Sequence, residues 1–356
     1  MNGLVLVFKQ VFLSIVTELP MVEVILNGRF KKTSLLGKGS YGTIFKAFDF
    51  QTKQDVAIKQ EKINSKVPQL RREKEFYEKI GNKHGFLRMI SFFEESGFRY
   101  LVFTLVRKDL FDQAEIHEGK LGLKSTVLIA KQLVDRIEYL HDKGILHLDL
   151  KPENIAIGAN ENDRNTVYLL DFGLSKYYRN GKSHIPAAKK VPFKGTICFA
   201  SVNAHKKLQQ SRRDDIESLV YVIVYLMKGS LPWIDFKNNY KGSKHRQVLK
   251  EKERLTSNQL CNGLEVEFAK ILDYAKSLSF TQKPDYKFVR QLLDRISKNN
   301  CFQDDEIFDC LKKSNLNHRP GQYHRCPAKK RPLEPNDRQQ LQQNMKKRRV
   351  GKHNKD

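Results

Sequence analysis

His147-Leu148-Asp149-Leu150-Lys151-Pro152-Glu153-Asn154, followed downstream by Asp171-Phe172-Gly173, sets the reading of this chain. The first stretch offers a carboxylate, a lysine cation and an amide oxygen within a few residues, and the second adds another carboxylate. Phosphoryl transfer asks for that inventory, because it needs little covalent chemistry from the protein: one group orients the attacking hydroxyl, and cations carry the phosphate charge. Asp149 is then the candidate base, Lys151 the cation that steadies the phosphate, and Asn154 and Asp171 the candidate Mg2+ ligands. Either motif alone can arise by accident in a lysine-rich chain. Their joint occurrence in this order makes accident negligible.

Upstream, Leu36-Gly37-Lys38-Gly39-Ser40-Tyr41-Gly42-Thr43-Ile44 is a G-x-G-x-x-G stretch, whose glycines let backbone amides approach phosphate with no Cβ in the way. Such runs are also common in hairpin turns. Val56-Ala57-Ile58-Lys59 strengthens the phosphate reading, since it ends an alternating strand fragment on a lysine, and Glu73 in the polar helical stretch 69–80 is placed to pair with it. Tyr100-Leu101-Val102-Phe103-Thr104-Leu105-Val106 reads as a buried strand running into a connector. Leu105 and Val106 would offer backbone groups to adenine, and Phe103 is either the back wall of the nucleotide pocket or an ordinary core aromatic. The candidate nucleotide-binding set is Leu36, Gly37, Gly39, Gly42, Ile44, Ala57, Lys59, Glu73, Phe103, Leu105, Val106 and Asp171.

A chain of 356 residues can form one large domain or two ordinary ones. Short strands with turn punctuation begin at Phe30. Past the connector, Leu133, Ile137 and Leu140 fall at helical spacing before a terminating Gly144, and the apolar run from Leu219 to Met227 is too short to span a bilayer and reads as a buried helix. The expected fold class is α+β and two-lobed: a small β-rich lobe over about 28–104, and a larger, mainly helical one over about 107–312. Residues 1–27 form an apolar extension without a basic n-region or a small-residue cleavage site, which disfavours a signal or anchor. It reads as an extra element packed on the domain, or as translated sequence upstream of a start at Met21. Cys198, Cys261, Cys301, Cys310 and Cys326 show no C-x-x-C pair, so neither a zinc site nor a disulfide framework is expected, and a reducing compartment is. The net charge is +25, to which residues 318–356 contribute twelve Lys or Arg against three acids. The body is therefore basic as well, which suits nucleic acid, an anionic membrane or acidic protein substrates, and charge alone does not choose among them.

Four further features narrow the reading: Pro68-Gln69-Leu70 before the helix glutamate, Ala200-Ser201-Val202-Asn203, the run Gln210-Ser211-Arg212-Arg213-Asp214-Asp215-Ile216-Glu217-Ser218-Leu219, and Lys283-Pro284-Asp285-Tyr286. With them the chain resembles the eukaryotic protein kinase superfamily over about 30–312 and, within it, the casein kinase I family, in which Ala-Ser-Val-Asn stands where most kinases have Ala-Pro-Glu. The resemblance implies a two-lobed kinase fold, ATP with Mg2+, and transfer of the γ-phosphate to Ser or Thr of acidic protein substrates. It also implies that Lys59, oriented by Glu73, contacts the α and β phosphates, and that Thr196 hydrogen-bonds within the catalytic loop. Asp215 looks like the kinase helix-start aspartate that bonds the catalytic-loop backbone, a role compatible with a plain N-cap.

Departures from the family pattern bear on regulation. Leu148 replaces the arginine that in many kinases holds a phosphorylated activation loop, which predicts activity without that phosphorylation. Cys198 replaces an arginine that binds phosphate-primed substrates, which predicts weakened priming; Lys189, Lys190, Lys194, Arg212 and Arg213 remain to attract acidic residues. In the basic tail, 313–356, Lys329-Lys330-Arg331 and Lys346-Lys347-Arg348-Arg349 resemble a bipartite nuclear import signal, so an import receptor is the expected partner and the location is cytoplasmic, nuclear or both. RNA or anionic lipid are alternative ligands of that tail. No Ser or Thr occurs from Asn315 onward, so inhibitory tail autophosphorylation cannot operate. A scaffold that has lost its chemistry is disfavoured by the presence of Lys59, Glu73, Asp149, Asn154 and Asp171, and a nucleic-acid module by the lack of a docking motif. Truncation at Leu316 is expected to leave catalytic turnover unchanged while altering location or partner binding, which assays of both chain lengths side by side would check.

Overall fold

The computed structural model describes residues 25–39, 42–65, 68–107, 109–235, 244–302, 305 and 307–309. The apolar extension up to residue 24 and the basic tail lie outside them.

Strands β1 (Ile25–Leu26), β2 (Phe30–Gly39), β3 (Gly42–Asp49), β4 (Gln54–Lys62), β5 (Met89–Glu95) and β6 (Phe98–Thr104) form one antiparallel sheet in the order β1-β2-β3-β4-β6-β5. Strand alternation sends Val56, Ile58, Tyr100 and Val102 to one face, where they pack with Leu26 and Phe30. Cross-strand partners share a face, so Ala57 opposite Phe103 and Lys59 opposite Leu101 lie on the other one, toward helix α1 (Leu70–Ile80). Gly42 is required where β2 turns into β3: its φ is +135°, and a Cβ there would fall 2.4 Å from the Gln60 carbonyl oxygen.

Helix α1 buries Leu70, Phe76, Tyr77 and Ile80 as one stripe. Gln69 provides no side-chain cap; instead the Glu61 carboxylate on β4 accepts from the amides of Gln69 (2.7 Å) and Leu70 (3.4 Å). A strand residue thereby fixes where the helix begins, and with it the position of Glu73.

The helical lobe runs through α2 (Leu110–Ile116), α3 (Leu123–Asp142), β7 (Ile145–Leu146), a 3-10 turn at Pro152–Asn154, β8 (Ile155–Ile157), β9 (Val167–Leu169), β10 (Lys176–Tyr177), β11 (Arg179–Asn180) and β12 (Ser183–His184). It continues with α4 (Val202–His205), α5 (Arg212–Lys228), α6 (Lys244–Arg254), α7 (Ser257–Leu260), α8 (Val266–Ser277) and α9 (Tyr286–Asn299). Helix α5 is buried on every side from Asp214 to Leu226, so its apolar run needs no periodicity. At its N-terminus Asp214 accepts from the Ser211 amide (2.6 Å), which leaves Asp215 to a longer-range role. The α+β, two-lobed architecture expected from the sequence is present. Among the described residues no helix is long and apolar enough to cross a membrane.

The lobes meet where the Leu169 amide donates to the Gly85 carbonyl (3.0 Å) and the Tyr139 hydroxyl to the Ile80 carbonyl (2.7 Å). Gly85 has φ +86°, and a Cβ on it would lie 1.7 Å from Arg136 Nε. Gly85→Ala is expected to destabilise the protein by about 1–3 kcal/mol through backbone strain and displacement of that guanidinium, read as a lower urea midpoint at an unchanged slope.

Candidate active site

The loop carrying Asp149 is hung from one carboxylate. Asp215, in the first turn of α5, accepts from the amides of His147 (2.9 Å) and Leu148 (2.8 Å) and lies 2.9 Å from His141 Nε2, while His141 Nδ1 lies 2.6 Å from the Tyr286 hydroxyl of α9. Leu148 is held at φ +67°, a left-handed conformation that a branched side chain adopts only under constraint. Burial by itself would raise the pKa of Asp215, yet the hydrogen bond and charge of His141 and the loop amides bring it below the ordinary carboxylate value.

Asp149 lies at the centre of a polar cluster. Its Oδ1 accepts from the Thr196 hydroxyl (2.7 Å), its Oδ2 accepts from Asn154 Nδ2 (3.2 Å) and lies 3.6 Å from Lys151 Nζ, and its backbone carbonyl accepts a second bond from Asn154 Nδ2 (2.9 Å). Four residues that the sequence assigns to catalysis thus meet within hydrogen-bonding or ion-pairing range. Thr196 reaches the cluster because Gly195 before it takes φ +111° and passes against the Leu148 carbonyl, 2.9 Å from where a Cβ would stand.

The second cluster joins the lobes. Lys59 Nζ is 2.6 Å from Glu73 Oε2 and 3.0 Å from Asp171 Oδ1, which also accepts from the Gly173 amide at 3.0 Å. Burial opposes the lysine charge, but Asp171 and Glu73 together raise its pKa above the ordinary value. Asp171 is burdened by the same burial, yet Lys59 brings it down to about 2. Glu73 is raised, because burial and the neighbouring Asp171 charge outweigh what Lys59 offers. Between the carboxylates and the core, Phe172 is fully buried, with ring centroids 4.9 Å from Tyr77 and 5.4 Å from His147, so Asp171 stays aimed at Lys59.

Other candidates fall around this pair. Ala57 and Phe103 occupy the Lys59 face of the sheet, and the Phe103 ring centroid lies 4.5 Å from that of Tyr77, within the core. Leu36 (50% exposed) and Ile44 (37%) present apolar surface on the paired strands that carry Gly37, Gly39 and Gly42. Leu105 and Val106 are half-buried beyond the end of β6, off the sheet ladder. Asp171 and Asn154 are hard oxygen donors, and two such protein groups together with phosphate oxygens make the kind of set that Mg2+ takes. The residues fit that ion.

One expectation needs correction, and two of the basic candidates have partners within the fold. Arg212 donates to the Tyr178 hydroxyl (3.4 Å) and the Thr281 carbonyl, and Arg213 to the Leu278 carbonyl (2.5 Å), which ties α5 to the chain between α8 and α9. Cys198 is fully buried and disulfide-bonded, whereas the cysteine spacing suggested no disulfide framework. Sequence reasoning also missed Glu61, His141 and Tyr286 as supports of the site. Of these, only Tyr286 carried a local signal, through its place in Lys283-Pro284-Asp285-Tyr286.

In comparison with known protein families, residues 30–303 match the family described as Protein kinase domain. Thr196→Val exchanges for a methyl the hydroxyl that donates to Asp149, and is expected to lower kcat roughly tenfold with nucleotide affinity unchanged. Steady-state kinetics beside nucleotide-binding calorimetry would check it.

Proposed function

This chain belongs to the protein kinase domain family, and from that premise we propose that it is a Ser/Thr kinase of casein kinase I type, acting on acidic protein substrates without activation-loop phosphorylation. The family membership makes it an ATP-using transferase with protein substrates. The Ser/Thr reading is supported above all by the Thr196-Asp149-Lys151 arrangement: one Asp149 oxygen takes the Thr196 hydroxyl at 2.7 Å, and Lys151 sits 3.6 Å from the other. In this reading Asp149 orients the acceptor hydroxyl and takes its proton, Lys151 steadies the transferring phosphate, and Lys59, braced by Glu73, contacts the α and β phosphates. Asn154 and Asp171 would hold Mg2+, whose charge offsets that of the phosphates.

Independence from loop phosphorylation is supported by what occupies the place of the missing arginine. Leu148 is buried with Leu146 and Tyr178, with Ile185 packed against them. The Tyr178 hydroxyl donates to the His141 carbonyl (2.7 Å), and its amide to Gly144 (3.0 Å). An acidic substrate preference is supported by the net charge of +25 and by Lys189 and Lys190, which are exposed in the segment preceding Thr196. For the basic tail, which lies outside the described residues, we propose recognition by an import receptor, with nuclear and cytoplasmic residence.

The test is phosphate transfer from ATP to casein by unphosphorylated recombinant protein beside its Asp149→Asn variant. Incorporation on Ser and Thr, reduced roughly 100-fold or more in the variant, is the expected result. Activity that appears only after phosphorylation of the loop would overturn the regulatory part.

A further inference from the structure

The chain that follows Thr196 leaves Asp149 directly, so residues 197–200 border the place where an acceptor hydroxyl must sit. This short loop closes on itself through the amides of Phe199 (3.0 Å) and Ala200 (2.8 Å), which both donate to the Thr196 carbonyl. Its own carbonyls point the other way, into the helical lobe, and side chains from three directions take them. Trp233 Nε1 donates to Cys198 (2.8 Å), and His205 Nε2 lies 3.0 Å from the Ile197 oxygen. Lys252, from α6, donates to Ala200 (2.5 Å) and also reaches Ile197 (3.4 Å).

Lys252 is the unusual member, being a lysine only 2% exposed. Burying an ammonium is costly unless its surroundings replace water. Here they do so in part: two carbonyl oxygens accept its hydrogen bonds, and the rings of Tyr221 (4.4 Å) and Trp233 (4.9 Å) face its charge. Glu217 on α5 adds attraction from nearby, but its Oε1 is committed to the Val202 amide (2.8 Å) and the Tyr221 hydroxyl (2.7 Å). The net result of burial is a pKa pushed down to about 7. A hydrophobic residue of similar length would fill the same space without that cost, so what Lys252 supplies is direction, through its donors to two carbonyls of one loop.

We propose that Lys252 is a positioning residue for the protein substrate, its buried ammonium holding the 197–200 loop in register with Asp149. The proposal rests on the protein kinase reading, since it requires an acceptor protein beside Asp149. Lys252 touches neither nucleotide nor acceptor; it acts through the loop. Its loss therefore weakens protein-substrate binding selectively, because Lys59, Glu73 and Asp171 are held by separate contacts.

Two substitutions test this in the full chain. Lys252→Met fills the volume without donors, and Lys252→Gln keeps a shorter donor without charge, for use should the first fail to fold. Either is expected to raise KM for casein roughly tenfold with KM for ATP within about twofold, and to speed amide exchange at Phe199 and Ala200 while exchange in α5 stays slow. Unchanged casein KM with unchanged exchange at those amides would overturn the proposal. So would casein and ATP KM rising together with a lowered melting temperature, the pattern of a merely structural residue. Were the wild-type protein to transfer no phosphate, the kinase reading would fail by itself, and the amide exchange would still decide whether Lys252 holds the loop.

Discussion

The carboxylate of Asp215 is the constraint on which the catalytic half of this protein depends. It accepts from two successive backbone amides, and beyond them the chain leaves with Leu148 in a left-handed conformation that costs about 1–3 kcal/mol. A buried, negatively charged acceptor can offset that cost, since hydrogen bonds to charged groups are the stronger kind. Burying such a charge requires a further donor, which His141 supplies, and His141 is in turn held by Tyr286. The catalytic loop is thus set by α3, α5 and α9 together. The final helix of the domain contributes to the site although it stands far from it in sequence.

The nucleotide end is organised differently, around a lysine shared by the two lobes. Lys59 comes from the sheet, Glu73 from a helix whose start is fixed by Glu61, and Asp171 from the segment anchored by Phe172. One lysine lies between the buried Glu73 and the partly buried Asp171, and burial, with the Asp171 charge added, raises the pKa of Glu73 in spite of Lys59. A site with hard oxygens at Asp171 and Asn154 is suited to a divalent ion. Neither lobe alone assembles it.

What could be read from the sequence follows from the range of the interactions involved. Residues whose chemistry is carried by near neighbours in the chain announced themselves: the Asp149-Lys151-Asn154 loop, the glycine hairpin, and the lysine ending an alternating strand. The Lys59-Glu73 pair was legible from its order between stronger motifs. Side chains whose partners lie across the fold did not show. Arg212 and Arg213 read as solvated cations because a basic dipeptide at a helix start gives no hint that carbonyls 278 and 281 will pass beside it. Lys252 sits in a helix so polar that nothing marks one lysine as buried. Periodicity tells which face turns inward, but not which backbone oxygen will be found there.

The substitution of leucine for arginine at position 148 changes the kind of force that holds the activation segment. An arginine in that place attracts a phosphate, so the segment's order depends on a modification that can be added or removed. Leu148 instead adds apolar contact to Leu146 and Tyr178, and burying a leucine side chain contributes about 1.5–3 kcal/mol whatever the state of the loop. Backbone pairing of Lys176 with Leu146 and of Tyr177 with Ile145 supplements it. A contact of this kind cannot be switched by charge. It is present once the chain has folded, whatever the phosphorylation state of the segment.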